Sequence, residues 1–183
     1  MDDTKQNRIY LTGFMGSGKS TIGPILANTL GYSFFDIDKE IERSTGKKII
    51  DIFSELGEVH FREVERSVLL EACRLNKHVI SLGGGTIANQ SNLDIIKSSG
   101  ILIYLKTTTE QIHKRLKHKT NRPLILVKSN GVISDQELTN RINELLTQRE
   151  PYYTQADIII STDDRKLGIT VDQIMKNLKP FFK

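Results

Sequence analysis

The run Gly13-Phe14-Met15-Gly16-Ser17-Gly18-Lys19-Ser20 fits the spacing G-x-x-x-x-G-K-[ST], whose chemistry is the holding of phosphate. Its glycines let backbone N–H groups turn inward, Lys19 reaches the outer phosphates of a nucleoside triphosphate, and the Ser20 hydroxyl can ligate Mg²⁺. Candidate nucleotide contacts are therefore Gly13, Gly16, Ser17, Gly18, Lys19, Ser20 and Thr21, the last opening a helical run to Leu30. The alternative is a glycine-rich turn with a chance Lys-Ser; an apolar strand before it and a helix after it weigh against that. The loop alone does not name a reaction, because switches, transporters and kinases share it.

Acceptor chemistry is suggested by three further groups. Asp36 and Asp38 end the second apolar run, and a period of two would put both on one face at the strand's carboxyl edge. One could sit near Mg²⁺ through water and the other hold the attacking hydroxyl; a helix N-cap at Asp38 with Asp36 solvated is the plain alternative. Arg62 has Glu65 three residues on, a spacing that braces a binding arginine and equally fits an ordinary surface ion pair. Gly83, Gly84 and Gly85 follow the third run, where they would let a ligand approach the backbone or simply make a tight loop.

These groups need a scaffold. Five apolar runs, Ile9 to Thr12, Ser33 to Ile37, His78 to Leu82, Ile101 to Leu105 and Asp157 to Ser161, alternate with helix-like stretches, the pattern of an α/β fold with a parallel sheet. Glu58 to Leu75 reads as a helix by its stripe of Phe61, Val64, Val68, Ala72 and Leu75. Lys117 to Ser134 is rich in Lys, Asn, Ser and Gly around Arg122-Pro123 and reads as a mobile loop.

At 183 residues, 38% apolar and 26% charged, the chain suits one domain with a full core. A net charge of +4 and a pI near 9.1 suit small anionic partners; the basic residues are scattered and form no nucleic-acid reading motif. No apolar run nears the roughly 20 residues of a membrane span, and Met1 to Arg8 has no signal-peptide core, so a cytoplasmic protein is expected. The single cysteine, Cys73, permits no intramolecular disulfide and is expected to be buried in apolar surroundings. His60, His78, His113 and His118 stand in no metal-ligand spacing, and no zinc is expected.

From the first strand to the last helix the chain resembles the shikimate kinase family. The resemblance rests on Gly13 to Ser20, Asp36-Ile37-Asp38, Asp51-Ile52-Phe53, Phe61-Arg62-Glu63-Val64-Glu65, Ser81 to Gly85, Asn121-Arg122-Pro123-Leu124 and Arg149-Glu150-Pro151-Tyr152-Tyr153 before Ala156-Asp157. It implies a nucleoside-monophosphate-kinase-like P-loop fold: a five-stranded parallel sheet in the order 2-3-1-4-5, flanked by helices, with a mobile lid at about 115–134. It also implies transfer of the ATP γ-phosphoryl group to the 3-hydroxyl of shikimate in aromatic amino acid biosynthesis, by a monomer that engages neither nucleic acid nor membrane. By matching position, Lys19 would hold the phosphates and Ser20 the Mg²⁺, with Asp36 and Ser81 assisting through water. Asp38 would bind the reacting hydroxyl as candidate base. Arg62 and Arg149 would clamp the shikimate carboxylate, Gly83, Gly84 and Gly85 would line the acceptor, and Phe53 and Phe61 would wall its ring. Arg122 would cover the transferring phosphate, and Arg115 and Arg165 would flank the adenine. The family's Arg-Pro-Leu-Leu run reads Arg122-Pro123-Leu124-Ile125 here, and the stretch from Arg122 to Arg149 is longer than in compact members.

Helix geometry bears on which arginine completes the clamp. At about 100° per residue, Leu138, Ile142, Leu145 and Leu146 make one apolar stripe with Arg149 near its middle and Arg141 roughly 80° to its side. An inward arginine needs an anionic partner, whereas Arg141 fits a helix flank near Glu137. The rival functions are a kinase for another small acid such as gluconate, a nucleotide-dependent switch, and a nucleic-acid binder. The paired aspartates, the glycine run and the two arginines favour the shikimate reading over all three.

Overall fold

The computed structural model describes residues 8–116, 134–162 and 166–182. Each apolar run forms a strand: β1 (Arg8–Thr12), β2 (Ser33–Asp36), β3 (His78–Ser81), β4 (Ile101–Lys106) and β5 (Ile158–Ser161). The intervening helices are α1 (Lys19–Leu30), α2 (Ile37–Thr45), α3 (Ile49–Glu55), α4 (Gly57–Ala72), α5 (Gln90–Ser99), α6 (Thr109–Leu116) and α7 (Asp135–Tyr153), and α8 (Leu167–Leu178) follows β5. All pairings are parallel and the order is β2-β3-β1-β4-β5, as expected.

Because helices cover both faces, the strands bury residues of both phases, which is why they read as continuous apolar runs. Tyr10, Ile80, Leu102 and Tyr104 face a layer holding Ile41, Leu69, Leu93 and Tyr153. Ile9, Leu11, Val79 and Ile103, one residue out of phase, face Ile22 and Leu26 of α1 and Val171 and Ile174 of α8. A third cluster joins Phe14 and Met15 of the loop after β1 to Ile112 of α6 and Leu138, Ile142 and Leu145 of α7. That cluster couples the phosphate loop to the helix carrying Arg149.

Three expectations need correction. Asp36 and Asp38 do not share a strand face: β2 ends at Asp36, whose side chain accepts the Lys39 N–H as N-cap of α2, and Asp38 lies in the first helical turn. The cap is Asp36 rather than Asp38, because an aspartate followed by Asp38 and Glu40 suits a helix start better than a strand's continuation. Helix α4 stops at Ala72, before Leu75. Cys73 is half-buried rather than buried: it packs against the apolar core as expected, and its thiol also accepts the Tyr10 hydroxyl at 3.3 Å.

Candidate active site

The phosphate loop needs its glycines for backbone reasons. Gly13, Gly16 and Gly18 have φ of 142°, 82° and 102°, and a methyl group on Gly13 would stand 2.6 Å from the Leu105 carbonyl oxygen. Gly18 is the N-cap of α1, whose first turn carries no acidic residue to offset its positive end. Lys19 is 9% exposed, and its Nζ donates to the carbonyls of Gly13 at 2.7 Å and Phe14 at 3.2 Å. Ser17 Oγ is buried without a hydrogen-bond partner among the described residues. On the outer side Arg115 donates to Gly16 O and Thr162 O, both at 2.9 Å, and the Thr162 hydroxyl donates to Ser17 O at 3.0 Å. The cradle is thus built from β1, α1, α6 and the end of β5.

Beside it lies a cavity of about 490 Å³, a volume suited to a small metabolite. Ser20, Asp36 and Asp38 line its phosphate side, Phe53 and Phe61 its apolar wall, and Arg62, Arg149 and Gly83 to Gly85 the remainder. The two rings meet at 4.5 Å between centroids. Ser20 Oγ donates to Asp36 Oδ2 at 3.3 Å, leaving a hydroxyl and a carboxylate together at the start of α1. Such hard oxygen donors fit Mg²⁺. Ser81 stands beside Asp36 in strand register but is buried, at 2% exposure.

The three glycines bring the charged groups together. Methyl groups added in turn would stand 2.9 Å from Asp38 Oδ1 at Gly83, 3.5 Å from Arg149 Nη1 at Gly84, and 2.9 Å from both terminal nitrogens of Arg62 at Gly85. Side chains at Gly83 and Gly85 would push Asp38 and Arg62 away, whereas Gly84 meets Arg149 at ordinary contact distance.

Arg62 is held twice, by Glu65 at 2.8 Å and by Glu58 at 3.0 Å. The Glu65 side chain is 2% exposed and also accepts the Thr86 hydroxyl at 2.7 Å. The Arg62–Glu65 pair is therefore anchored on a buried carboxylate, with Arg62 itself 32% exposed, which sets it apart from an ordinary surface ion pair. Burial alone would lower the Arg62 pKa, but Glu65 and Glu58 outweigh it and raise it, keeping the guanidinium charged. Arg149, 6% exposed, lies 5.7 Å from the centre of the Phe14 ring and donates to Gly84 O at 3.2 Å. Arg141 is 44% exposed at its side chain and pairs with Glu144 at 3.0 Å.

The structure brings Ser20, Asp36, Asp38, Phe53, Phe61, Arg62, Arg149 and Gly83 to Gly85 to one cavity, with Lys19 and Arg115 at the adjoining loop. Arg122, Arg165 and the lid stretch 117–133 lie outside the described residues. Sequence reasoning missed three supports. Glu58 was readable, four residues before Arg62; Tyr153 shares a helix face with Arg149, four residues earlier; Thr86 gave no local signal because its partner lies 21 residues away.

The chain matches the family model described as shikimate kinase over residues 15–179. A shikimate kinase of Chlorobaculum parvum is 46% identical over 171 residues, 93% of this chain and 91% of that one. The crystal structure of shikimate kinase from Bacteroides thetaiotaomicron superposes with a TM-score of 0.86 at 34% identity, covering 94% of this chain and 98% of the other. That from Acinetobacter baumannii in complex with shikimate gives 0.85 at 37% identity, covering 93% and 91%. A phosphate loop beside an acidic and arginine-lined cavity, on this strand order and with these relatives, has one reading: the chain belongs to the shikimate kinase family and is an ATP-dependent kinase.

Proposed function

We propose that the acceptor is shikimate, whose 3-hydroxyl takes the γ-phosphoryl group of ATP to give shikimate 3-phosphate and ADP. The observation that carries this is the convergence of Asp38, Arg149 and Arg62 on Gly83, Gly84 and Gly85 beside Ser20. Two guanidinium groups suit a carboxylate, the glycine backbone suits hydroxyls, and the Phe53–Phe61 wall suits the carbon face of a ring. Asp38 orients the reacting hydroxyl toward the phosphate loop and receives its proton. In a loose transition state that proton leaves late, so orientation contributes more than early abstraction. Lys19 withdraws from the loop carbonyls to the outer phosphates, and Arg122 covers the group in transit. Arg115 and Arg165 flank the adenine. Mg²⁺, held by Ser20 with Asp36 and Ser81 through water, would neutralise charge on the β- and γ-phosphate oxygens.

The enzyme acts in aromatic amino acid biosynthesis, as a cytoplasmic monomer without nucleic-acid or membrane partners. No helix among the described residues is long and apolar enough to cross a membrane. A coupled assay of ADP release with shikimate, with gluconate and with no acceptor tests the assignment. Release should depend on shikimate; equal rates in all three arms would sink it.

The arginine assignment has its own test. Arg149→Ala should raise the KM for shikimate about 10- to 100-fold, the range expected for losing a charge-assisted contact, with the KM for ATP nearly unchanged. Arg141→Ala should change neither, since Arg141 is exposed and paired on its own helix. The reverse pattern in two correctly folded variants would assign the clamp to Arg141.

A further inference from the structure

The Gly84 carbonyl is held by two donors from one helix. Arg149 Nη1 reaches it at 3.2 Å and the Tyr153 hydroxyl at 2.5 Å. Arg149 and Tyr153 are four residues apart on α7, so they project from adjacent turns of one face. The Tyr153 side chain is fully buried, and its ring stacks on Tyr104 with centroids 4.9 Å apart and planes 26° apart. Tyr104 is itself tied back to α7, its hydroxyl donating to Glu150 Oε2 at 2.7 Å. A ring locked in this way has little freedom to turn its hydroxyl elsewhere. Burial pushes the Tyr153 pKa up to about 12, so the hydroxyl remains a donor at any working pH.

A bare structural role would be satisfied by any carbonyl. The carbonyl used here is the centre of the glycine run, on the loop that lines the cavity. The trans peptide is planar, so fixing the Gly84 C=O also fixes the Gly85 N–H, which points to the opposite side, away from α7. Glycines on both sides of that peptide give it no side-chain restraint, so its tilt must be set from outside. Arg149 cannot serve this alone, because a guanidinium engaged with an incoming carboxylate shifts with its ligand.

We propose that Tyr153 is a positioning residue for the acceptor: with Arg149 it fixes the Gly84–Gly85 peptide, and so aims the Gly85 N–H for the substrate. This rests on the reading of shikimate as acceptor. Tyr153 holds the peptide before and after binding, which leaves Arg149 available to the carboxylate.

Tyr153→Phe keeps the stack on Tyr104 and removes only the hydroxyl. It should raise the KM for shikimate about three- to tenfold, the span of one neutral hydrogen bond, while kcat and the KM for ATP stay within about twofold. Tyr10→Phe, which loses a buried hydroxyl bonded to Cys73 and Ser99 away from the cavity, should leave all three unchanged. In ¹⁵N spectra of the ligand-free protein, the Gly85 amide should move in Tyr153→Phe and stay in Tyr10→Phe. If Tyr153→Phe is too unstable for kinetics, the rise in Tm caused by shikimate should be smaller than in the wild type. A lowered Tm with unchanged shikimate KM, or an unmoved Gly85 amide, would make Tyr153 a core tyrosine and overturn the proposal. Failure of the acceptor reading shows differently: the wild type would release no ADP in response to shikimate, whatever the Gly85 amide does.

Discussion

Lys19→Ala is expected to lower kcat by about 10²- to 10³-fold, the loss that follows removal of one preorganised charge from a transition state. The ammonium already sits inside the cradle, donating to Gly13 O and Phe14 O. Those two bonds hold the charge at the loop at little reorganisation cost, and exchanging two neutral carbonyls for phosphate oxygens favours the ligand. Burial adds to the effect, because a charge at 9% exposure is poorly screened by water. The same burial means that Lys19 has a share in the loop's own structure. The variant should therefore lose stability on the order of 1 kcal/mol, seen as a modestly lower Tm, with an unchanged circular dichroism spectrum. Steady-state kinetics on the folded variant decide the matter: turnover within about twofold of wild type would show that the outer phosphates are held by other groups.

The phosphate loop was legible because its glycines answer a local demand, positive φ, and its lysine and serine follow at fixed offsets. The strand order came from the resemblance, while the alternation of apolar runs with helical stretches was enough for a parallel sheet. Arg149 came from the resemblance, but its inward direction was legible from helix phase, and its burial beside Phe14 bears that direction out. Asp36 misled because a short strand and a helix N-cap share the same residue. The period of two was carried one step too far, although Asp38 and Glu40 together signal a helix's first turn. What no local pattern contained was the state of Glu65. Its spacing from Arg62 is that of countless exposed pairs, and its burial comes from Gly83 and Thr86 of a different element. Long-range closure of that kind decides whether an ion pair is decorative or holds a binding group in place.

Asp38→Asn should depress kcat by about 10²- to 10⁴-fold, the range of a positioned general base, while ADP affinity stays nearly unchanged. The displacement of Asp38 from strand to helix strengthens its claim to the acceptor. Asp36, as N-cap, divides its oxygens between the Lys39 N–H and the Ser20 hydroxyl, which commits it to the helix start and the phosphate side. In the first turn of α2, Asp38 projects instead toward the glycine run, with Oδ1 2.9 Å from where a Gly83 methyl group would stand. The two carboxylates thereby face different parts of one cavity, which is what a division between metal-side and acceptor-side duties needs. Asparagine preserves the shape and one acceptor oxygen, so the acceptor should still bind, with a shikimate KM changed less than kcat. What disappears is the charge to which the proposed mechanism assigns the hydroxyl proton. Titration with ADP and steady-state kinetics on the same preparation separate the alternatives. Weakened ADP binding with turnover spared would move Asp38 to the nucleotide side and pass the role of base to another carboxylate of the cavity, which Asp36, Glu42, Asp51 and Glu65 also line.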